Sequence, residues 1–87
     1  MAAATRIAQT RSKLYLTYPK GLVREPLIYQ VTKSFNLGLN IRSANVSDEI
    51  GLIAIELEGP EESIERAIVW LRERGVQVEP IEKNVIE

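Results

Sequence analysis

The chain contains no cysteine and no histidine among its 87 residues. Without cysteine there are no disulfides, thiol nucleophiles or thiolate metal ligands, and without histidine the commonest general base and the imidazole ligand are missing. These two absences remove the groups on which most enzyme classes depend. We therefore expect a protein that is not an enzyme, with no catalytic or metal-binding residues and no cofactor.

Long apolar runs and a large net charge are also absent. No stretch approaches the 18 apolar residues of a membrane span, and the N-terminus lacks the apolar core of a signal peptide. The net charge of −1 gives no field that would gather nucleic acid or an anionic membrane. Because 45% of the residues are hydrophobic and 26% are charged, the composition is that of one small globular domain. We expect a soluble cytoplasmic protein that binds no nucleic acid and does not insert into a membrane.

Four alternating segments and two helical segments follow one another along the chain. Residues 1–12 have no sustained period and predict a flexible N-terminal tail before a single domain over residues 13–87. Alternation predicts strands over residues 13–18, 39–46, 53–58 and 76–82. Helical spacing predicts one helix over residues 26–36, ended by Gly38, and another between Gly59 and Gly75. The element order is therefore β-α-β-β-α-β.

Right-handed crossovers in this order place both helices on one face of a four-stranded antiparallel sheet. The predicted class is α+β, with a ferredoxin-like fold. The face without helices, called the open face below, remains uncovered. Its expected side chains are Tyr15, Thr17, Asn40, Arg42, Ala44, Leu52 and Ala54. A mixed apolar and polar open face indicates a partner subunit or a ligand.

The second predicted strand, within LGLNIRSANV, carries an unusual polar pair. Asparagine is depleted in strands, yet Asn40 is followed two residues later by Arg42, so both side chains should project from one face about 7 Å apart. An amide and a guanidinium together would suit the zwitterionic head of an amino acid. Alternatively, Arg42 pairs with Glu56 or Glu58 across the hairpin and Asn40 caps a strand end.

Two other functions of this topology fit the residues less well. RNA-binding modules stack bases on aromatic residues of the central strands, whereas the third strand, LIAIELEG, has no aromatic residue and carries two glutamates. An acylphosphatase-type enzyme would hold a phosphate with residues such as Arg24 and Asn40. The glycine-rich cradle expected around Arg24 is missing, and Glu25 would repel the anion.

The run KLYLTYPKGLVREPLIYQVTKSFNLGLNIRSANVSDEIGLIAIELEG, followed by a helix and GVQVEPIE, resembles the NIL domain. That domain is a ferredoxin-like, ACT-like module named for an Asn-Ile-Leu signature on its second strand. The resemblance spans residues 13 to about 82. It is carried by REP opening the first helix, the Asn-Ile strand, the LELEG-like end of the third strand and the Gly-Val-x-Val start of the last.

The resemblance implies a regulatory binding module. The family is known chiefly as the C-terminal domain of ATP-binding subunits of methionine importers, where it dimerises and binds methionine to inhibit transport. It also occurs fused ahead of iron–sulfur ferredoxins linked to homocysteine synthesis. The segments REPLIYQ and ANV of this chain are closer to that branch. The resemblance implies a stand-alone homodimer that binds a sulfur amino acid such as methionine. The alternative is an assembly subunit that binds no metabolite and docks onto a separate ferredoxin or homocysteine-synthesis enzyme.

The signature carries over to two residues of this chain, Asn40 and Ile41. Arg42 stands where the signature has leucine, so a guanidinium replaces an apolar contact that a thioether would use. We predict Asn40, Ile41 and Arg42 as the ligand-binding residues. The sequence leaves the dimer interface open between the sheet face and a strand edge.

Overall fold

A computed structural model describes residues 9–19, 26–47 and 49–86 of the chain. The elements are β1 Gln9–Tyr18, α1 Leu27–Phe35, β2 Gly38–Val46, β3 Gly51–Pro60, α2 Glu61–Glu73 and β4 Gln77–Ile86. The four strands form one antiparallel sheet in the order β2-β3-β1-β4. This confirms the predicted ferredoxin-like α+β fold. Neither helix in the described ranges is long and apolar enough to span a bilayer.

The core lies between the two helices and one face of the sheet, which we call the helix side. Leu14 of β1 and Ile55 and Leu57 of β3 are fully buried there, beneath Val31 of α1 and Leu71 of α2. The second helix packs over β1, β3 and β4 and against the first helix. Because fully burying an aliphatic side chain stabilises the fold by about 1.5–3 kcal/mol, this layer supplies the main stabilising term. The outer strand β2 lies beside this layer, and all of its residues are exposed.

Both helices begin where the sequence predicted, but the first ends differently. Pro26 and Pro60 precede the helices, and Gly75, with φ of 95°, follows the second as expected. The first helix is ended by Asn36, which adopts the left-handed conformation with φ of 54°. Gly38 is therefore not the terminator and is already the first residue of β2. Asparagine tolerates the left-handed region better than most residues, which explains why no glycine is required at this position.

The first strand begins four residues earlier than predicted, so the tail predicted over residues 1–12 was wrong for residues 9–12. Thr10 and Ser12 point to the helix side and are buried, and because they are polar, the hydrophobic alternation was not visible there. These residues pair with β3 on one side and β4 on the other. Residues 1–8 of the predicted tail, together with Arg24 and Glu25, lie outside the described residues.

A bulge in β2 changes which residues reach the open face. Ile41 pairs with Ile55 and Ser43 pairs with Ala54, so Arg42 is an extra residue without a direct partner in β3. An extra residue shifts the alternation that follows it by one position. Ser43 and Asn45 therefore join Asn40 on the open face, whereas Ala44 turns to the helix side. The prediction that Ala44 lies on the open face was wrong for this reason.

Candidate ligand site on the open face

Glu56 of β3 is the centre of a polar cluster on the open face. The side-chain amide Nδ2 of Asn40 donates a hydrogen bond to one carboxylate oxygen of Glu56 at 3.1 Å. The guanidinium Nη1 of Arg42 donates to the other oxygen at 3.3 Å. Asn40 is directly opposite Glu56 in the β2–β3 ladder, and the bulge allows Arg42 to reach the same carboxylate. The cluster therefore presents an amide, a carboxylate and a guanidinium side by side.

The surroundings of Glu56 favour its ionised form. The hydrogen bond from Asn40 is the largest cause of a lowered pKa at Glu56, and the positive charges of Arg42, Lys13 and Arg11 lower it further. Burial opposes this effect, since only 12% of the Glu56 side chain is exposed. A carboxylate that accepts hydrogen bonds and faces cations remains charged at neutral pH. The cluster therefore holds a fixed negative charge between polar donors.

Further ion pairs cross the same half of the open face. Arg11 contacts Glu58 at 2.9 Å, and Lys13 contacts Glu82 at 3.0 Å. A shallow depression of about 280 Å³ lies against the first of these pairs, lined by Arg11, Gly38, Leu39, Asn40, Glu56 and Glu58. Within the described ranges, no group of three carboxylates converges in a way that could hold a metal ion.

The structure brings two of the three sequence-predicted site residues together. Asn40 and Arg42 meet at Glu56, and the predicted alternative in which Arg42 pairs with Glu56 across the hairpin is confirmed as a contact. Asn40 is not a strand-end cap, because it is the third residue of β2 and donates across the hairpin. Ile41 lies opposite Ile55, so its side chain faces the helix side, and 52% of it is exposed.

The acceptor of the site, Glu56, was not among the predicted site residues. Its signal in the sequence was its outward position on the third strand, opposite the polar pair of the second. A glutamate at such a position is as consistent with an ordinary solvated side chain as with a residue of a binding site. Only the strand register identifies it as the group that receives both donors.

The other half of the open face has an apolar patch at its centre, formed by Tyr15, Leu52 and Ala54. Tyr15 of β1 and Leu52 of β3 are 52% and 46% exposed, and Ala54 lies opposite Tyr15. Ser43 and Asn45 of β2 flank this apolar patch at the edge of the sheet. An exposed apolar patch beside a polar cluster is typical of a surface that is covered by a ligand or a partner.

The element order, the strand order and the uncovered face define a ferredoxin-like α+β domain. The particular family follows from sequence comparison, in which the model of the NIL domain matches residues 13–80. The chain belongs to the NIL domain family. This confirms the resemblance carried by the Asn-Ile strand and the segments around it.

Named relatives agree with this assignment. The methionine import ATP-binding protein MetN of Vibrio vulnificus is 32% identical over 79 residues, which cover 86% of this chain and 23% of the relative. The protein of the same name from Photobacterium profundum is 37% identical over 68 residues, or 74% of this chain and 20% of the relative. The chain thus spans between a fifth and a quarter of the length of these relatives.

Among solved structures, the C-terminal domain of an ABC transporter ATP-binding protein from Enterococcus faecalis has the same fold. The TM-score is 0.67 at 23% identity, with 80% of this chain and 82% of that chain covered. This likeness supports the fold assignment.

Proposed function

We propose that this chain is a non-enzymatic, homodimeric regulatory module that binds a sulfur amino acid such as methionine. Membership of the NIL family, together with relatives named as methionine import proteins, supports the class of ligand. The observation that carries the proposal is the cluster of Asn40, Arg42 and Glu56 on the open face. We expect the module to act in the cytoplasm.

The cluster offers complementary groups for the head of an amino acid. The ionised carboxylate of Glu56 suits the ligand's ammonium group, and the N–H groups of Arg42 that do not contact Glu56 suit its carboxylate. The side-chain oxygen of Asn40 can accept a further hydrogen bond from the ammonium group. Ile41 enters the proposed site as the residue between these two donors, and it lies opposite Ile55 in the β2–β3 ladder.

The shape of the depression favours a site that is closed by a second subunit. Small-molecule sites bury most of the ligand surface, whereas this depression is shallow and open to solvent. It lies at the sheet edge, against Gly38, Leu39 and Asn40 of β2, so a neighbouring copy at that edge would cover it. The homodimer and the ligand site therefore belong to one proposal.

Isothermal titration calorimetry with methionine, homocysteine and cysteine tests the ligand. We expect heat of binding from at least one of them, and weaker binding by Asn40→Ala, because that variant loses the donor to Glu56. Asn84→Ala is a matched control, since this residue is also an exposed asparagine of the sheet but lies on β4, two strands away from Glu56, and its side chain bonds to Glu82 instead. The absence of heat at millimolar ligand would reject the small-molecule proposal, and an unchanged affinity of Asn40→Ala would remove Asn40 from the site.

A second candidate function is favoured by the apolar patch of Tyr15, Leu52 and Ala54. In this version the module binds no metabolite and docks onto a separate protein, such as a ferredoxin or a homocysteine-synthesis enzyme. The patch lies next to the charged half of the same face, as in the apolar core and polar rim of a protein interface. The calorimetry distinguishes the two functions, because a docking module gives no heat with amino acids.

A further inference from the structure

A cleft, called the α2–β4 cleft below, lies between the second helix and the edge strand β4. Its volume is about 330 Å³, and its apolar lining is formed by Leu14, Ile64, Ile68, Pro80 and Ile81. Leu14 and Ile64 are core residues that are 0% and 2% exposed, so the cleft reaches into the layer between helix and sheet. Because β4 and β2 are opposite edges of the sheet, the cleft is separate from the cluster around Asn40.

A bulge in β4 supplies one wall of the α2–β4 cleft. The pairing of β4 with β1 shifts by one position between Lys13 and Leu14. Ile81 is the extra residue at this shift and has no direct partner in β1. Regular alternation would send Pro80 and Ile81 to opposite faces, whereas both line the cleft. Bulges often redirect a side chain beside a functional site, and here the redirected Ile81 is 52% exposed.

The charged lining of the cleft is mainly acidic. It consists of Glu61, Glu65, Glu82 and Lys83, which are three carboxylates and one ammonium group. Lys83 contacts Glu61, and Lys13 contacts Glu82 at 3.0 Å. Glu65 takes part in none of the ion pairs within the described part of the chain. One carboxylate beside the apolar lining is therefore available to a cation.

The effect of these carboxylates is visible at Lys83, whose pKa is raised above its usual value. The hydrogen bond with Glu61 is the largest cause, and the charge of the same carboxylate follows. The charge of Glu65 acts in the same direction, whereas desolvation opposes it. Glu65 is thus close enough to stabilise a positive charge within the cleft.

We propose that the α2–β4 cleft is a second ligand site, which takes a small compound with an aliphatic body and a positively charged head, such as an alkylammonium ion. Sites for small molecules have volumes of about 300–1,000 Å³ and combine an apolar lining with a few polar groups. The aliphatic body lies against Ile64, Ile68 and Ile81, where it removes apolar surface from water. The head pairs with Glu65, while an anionic head would face three carboxylates.

An NMR titration of the ¹⁵N-labelled chain with three compounds of equal aliphatic length tests this class of ligand. The compounds are hexylammonium chloride, hexan-1-ol and sodium hexanoate, compared at one ionic strength. We expect hexylammonium to bind most tightly and to shift the amide signals of residues 61–68 and 81–83. Hexan-1-ol should bind about two- to fivefold more weakly, because an exposed ion pair adds only modestly to apolar burial. Hexanoate should bind more weakly still, since its charge is repelled.

Two variants with matched controls test the residues. Glu65→Gln keeps the shape of the side chain, so it should lower the affinity for hexylammonium about two- to fivefold and leave that for hexan-1-ol unchanged. Its control is Glu73→Gln, which changes an exposed glutamate at the other end of α2. Ile81→Ser should weaken the binding of both compounds. Its control is Val69→Ser, because Val69 is also 52% exposed but does not line the cleft.

The outcomes separate this site from the one on the open face. Equal binding of hexanoate and hexylammonium would overturn the proposal, and so would Glu65→Gln and Ile81→Ser variants that bind as their controls do. Amide shifts spread over the whole surface would also overturn it, since they indicate nonspecific attraction to acidic groups. Asn40→Ala should leave the binding of hexylammonium unchanged, because this residue lies on the opposite edge strand. The amino-acid site of the proposed function is therefore tested separately.

Discussion

Tyr18 carries a buried hydroxyl group that finds no hydrogen-bond partner within the described residues. Its side chain, at the end of β1, is only 3% exposed. Mutational data put the cost of burying an unpaired hydroxyl at about 1–3 kcal/mol. The variant Tyr18→Phe keeps the ring in the core and removes only this group. We therefore expect it to raise the free energy of unfolding by about 1–3 kcal/mol.

The same burial makes the stability of the fold depend on pH in the alkaline range. It raises the pKa of Tyr18 from 10.0 to about 12, because the core disfavours the phenolate. The stabilising contribution of the neutral form is complete below pH 10 and is lost as the pH rises toward 12. Two pKa units correspond to about 2.7 kcal/mol. Tyr18→Phe lacks this loss, so its advantage over the parent chain should increase between pH 10 and 12.

Urea unfolding followed by circular dichroism, at pH 7 and again through the alkaline range, measures both effects. Thermal unfolding gives a second readout, since 1 kcal/mol corresponds to about 4–8 °C in a domain of this size. Tyr15→Phe is the control, because that hydroxyl belongs to a side chain that is 52% exposed. Its removal should change stability by less than about 0.5 kcal/mol. A Tyr18→Phe variant that is less stable than the parent would refute the reasoning.

Two further predictions concern Thr10 and Glu56. Thr10 is 1% exposed, and its hydroxyl has no hydrogen-bond partner within the described residues. Thr10→Val should therefore raise the free energy of unfolding by about 1 kcal/mol in urea unfolding. A loss of stability would show that the hydroxyl is paired. Glu56 has a lowered pKa, so its contribution to stability is present above its ordinary value of 4.5 and is lost as the pH falls through the lowered value. Asn40→Ala should raise the pKa of Glu56 in an NMR titration and reduce this acid-dependent loss, while an unchanged pKa would contradict the assigned cause.

The sequence predicted the fold where local patterns agree with it. Alternating aliphatic residues identified the buried faces of β1 and β3, and the prolines and Gly75 marked helix ends that the structure shares. The start of β1 was missed because Thr10 and Ser12 occupy inward positions that are normally apolar. Burial at those positions comes from the surrounding strands and helix, which a local pattern does not contain.

The candidate site was predictable in part. The composition of β2 singled out Asn40 and Arg42, and the hairpin made Glu56 one of two possible partners. The bulge was not predictable, since nothing in NIRSAN distinguishes an extra residue from regular alternation. It is the bulge that sends Ala44 to the helix side and allows Arg42 and Asn40 to share one carboxylate. Because the register depends on both paired strands, the sequence of β2 alone does not determine it.

Pro80 and the extra residue Ile81 on β4 limit how the sheet can be extended at that edge. If both edges of the sheet were equally open, β2 of one copy could pair with β4 of the next, and this head-to-tail contact would repeat without end. A proline that lacks an N–H donor and a bulge both disturb the ladder that such a repeat would need. The edge at β4 therefore disfavours growth of the sheet into fibres, whatever the partner of this domain.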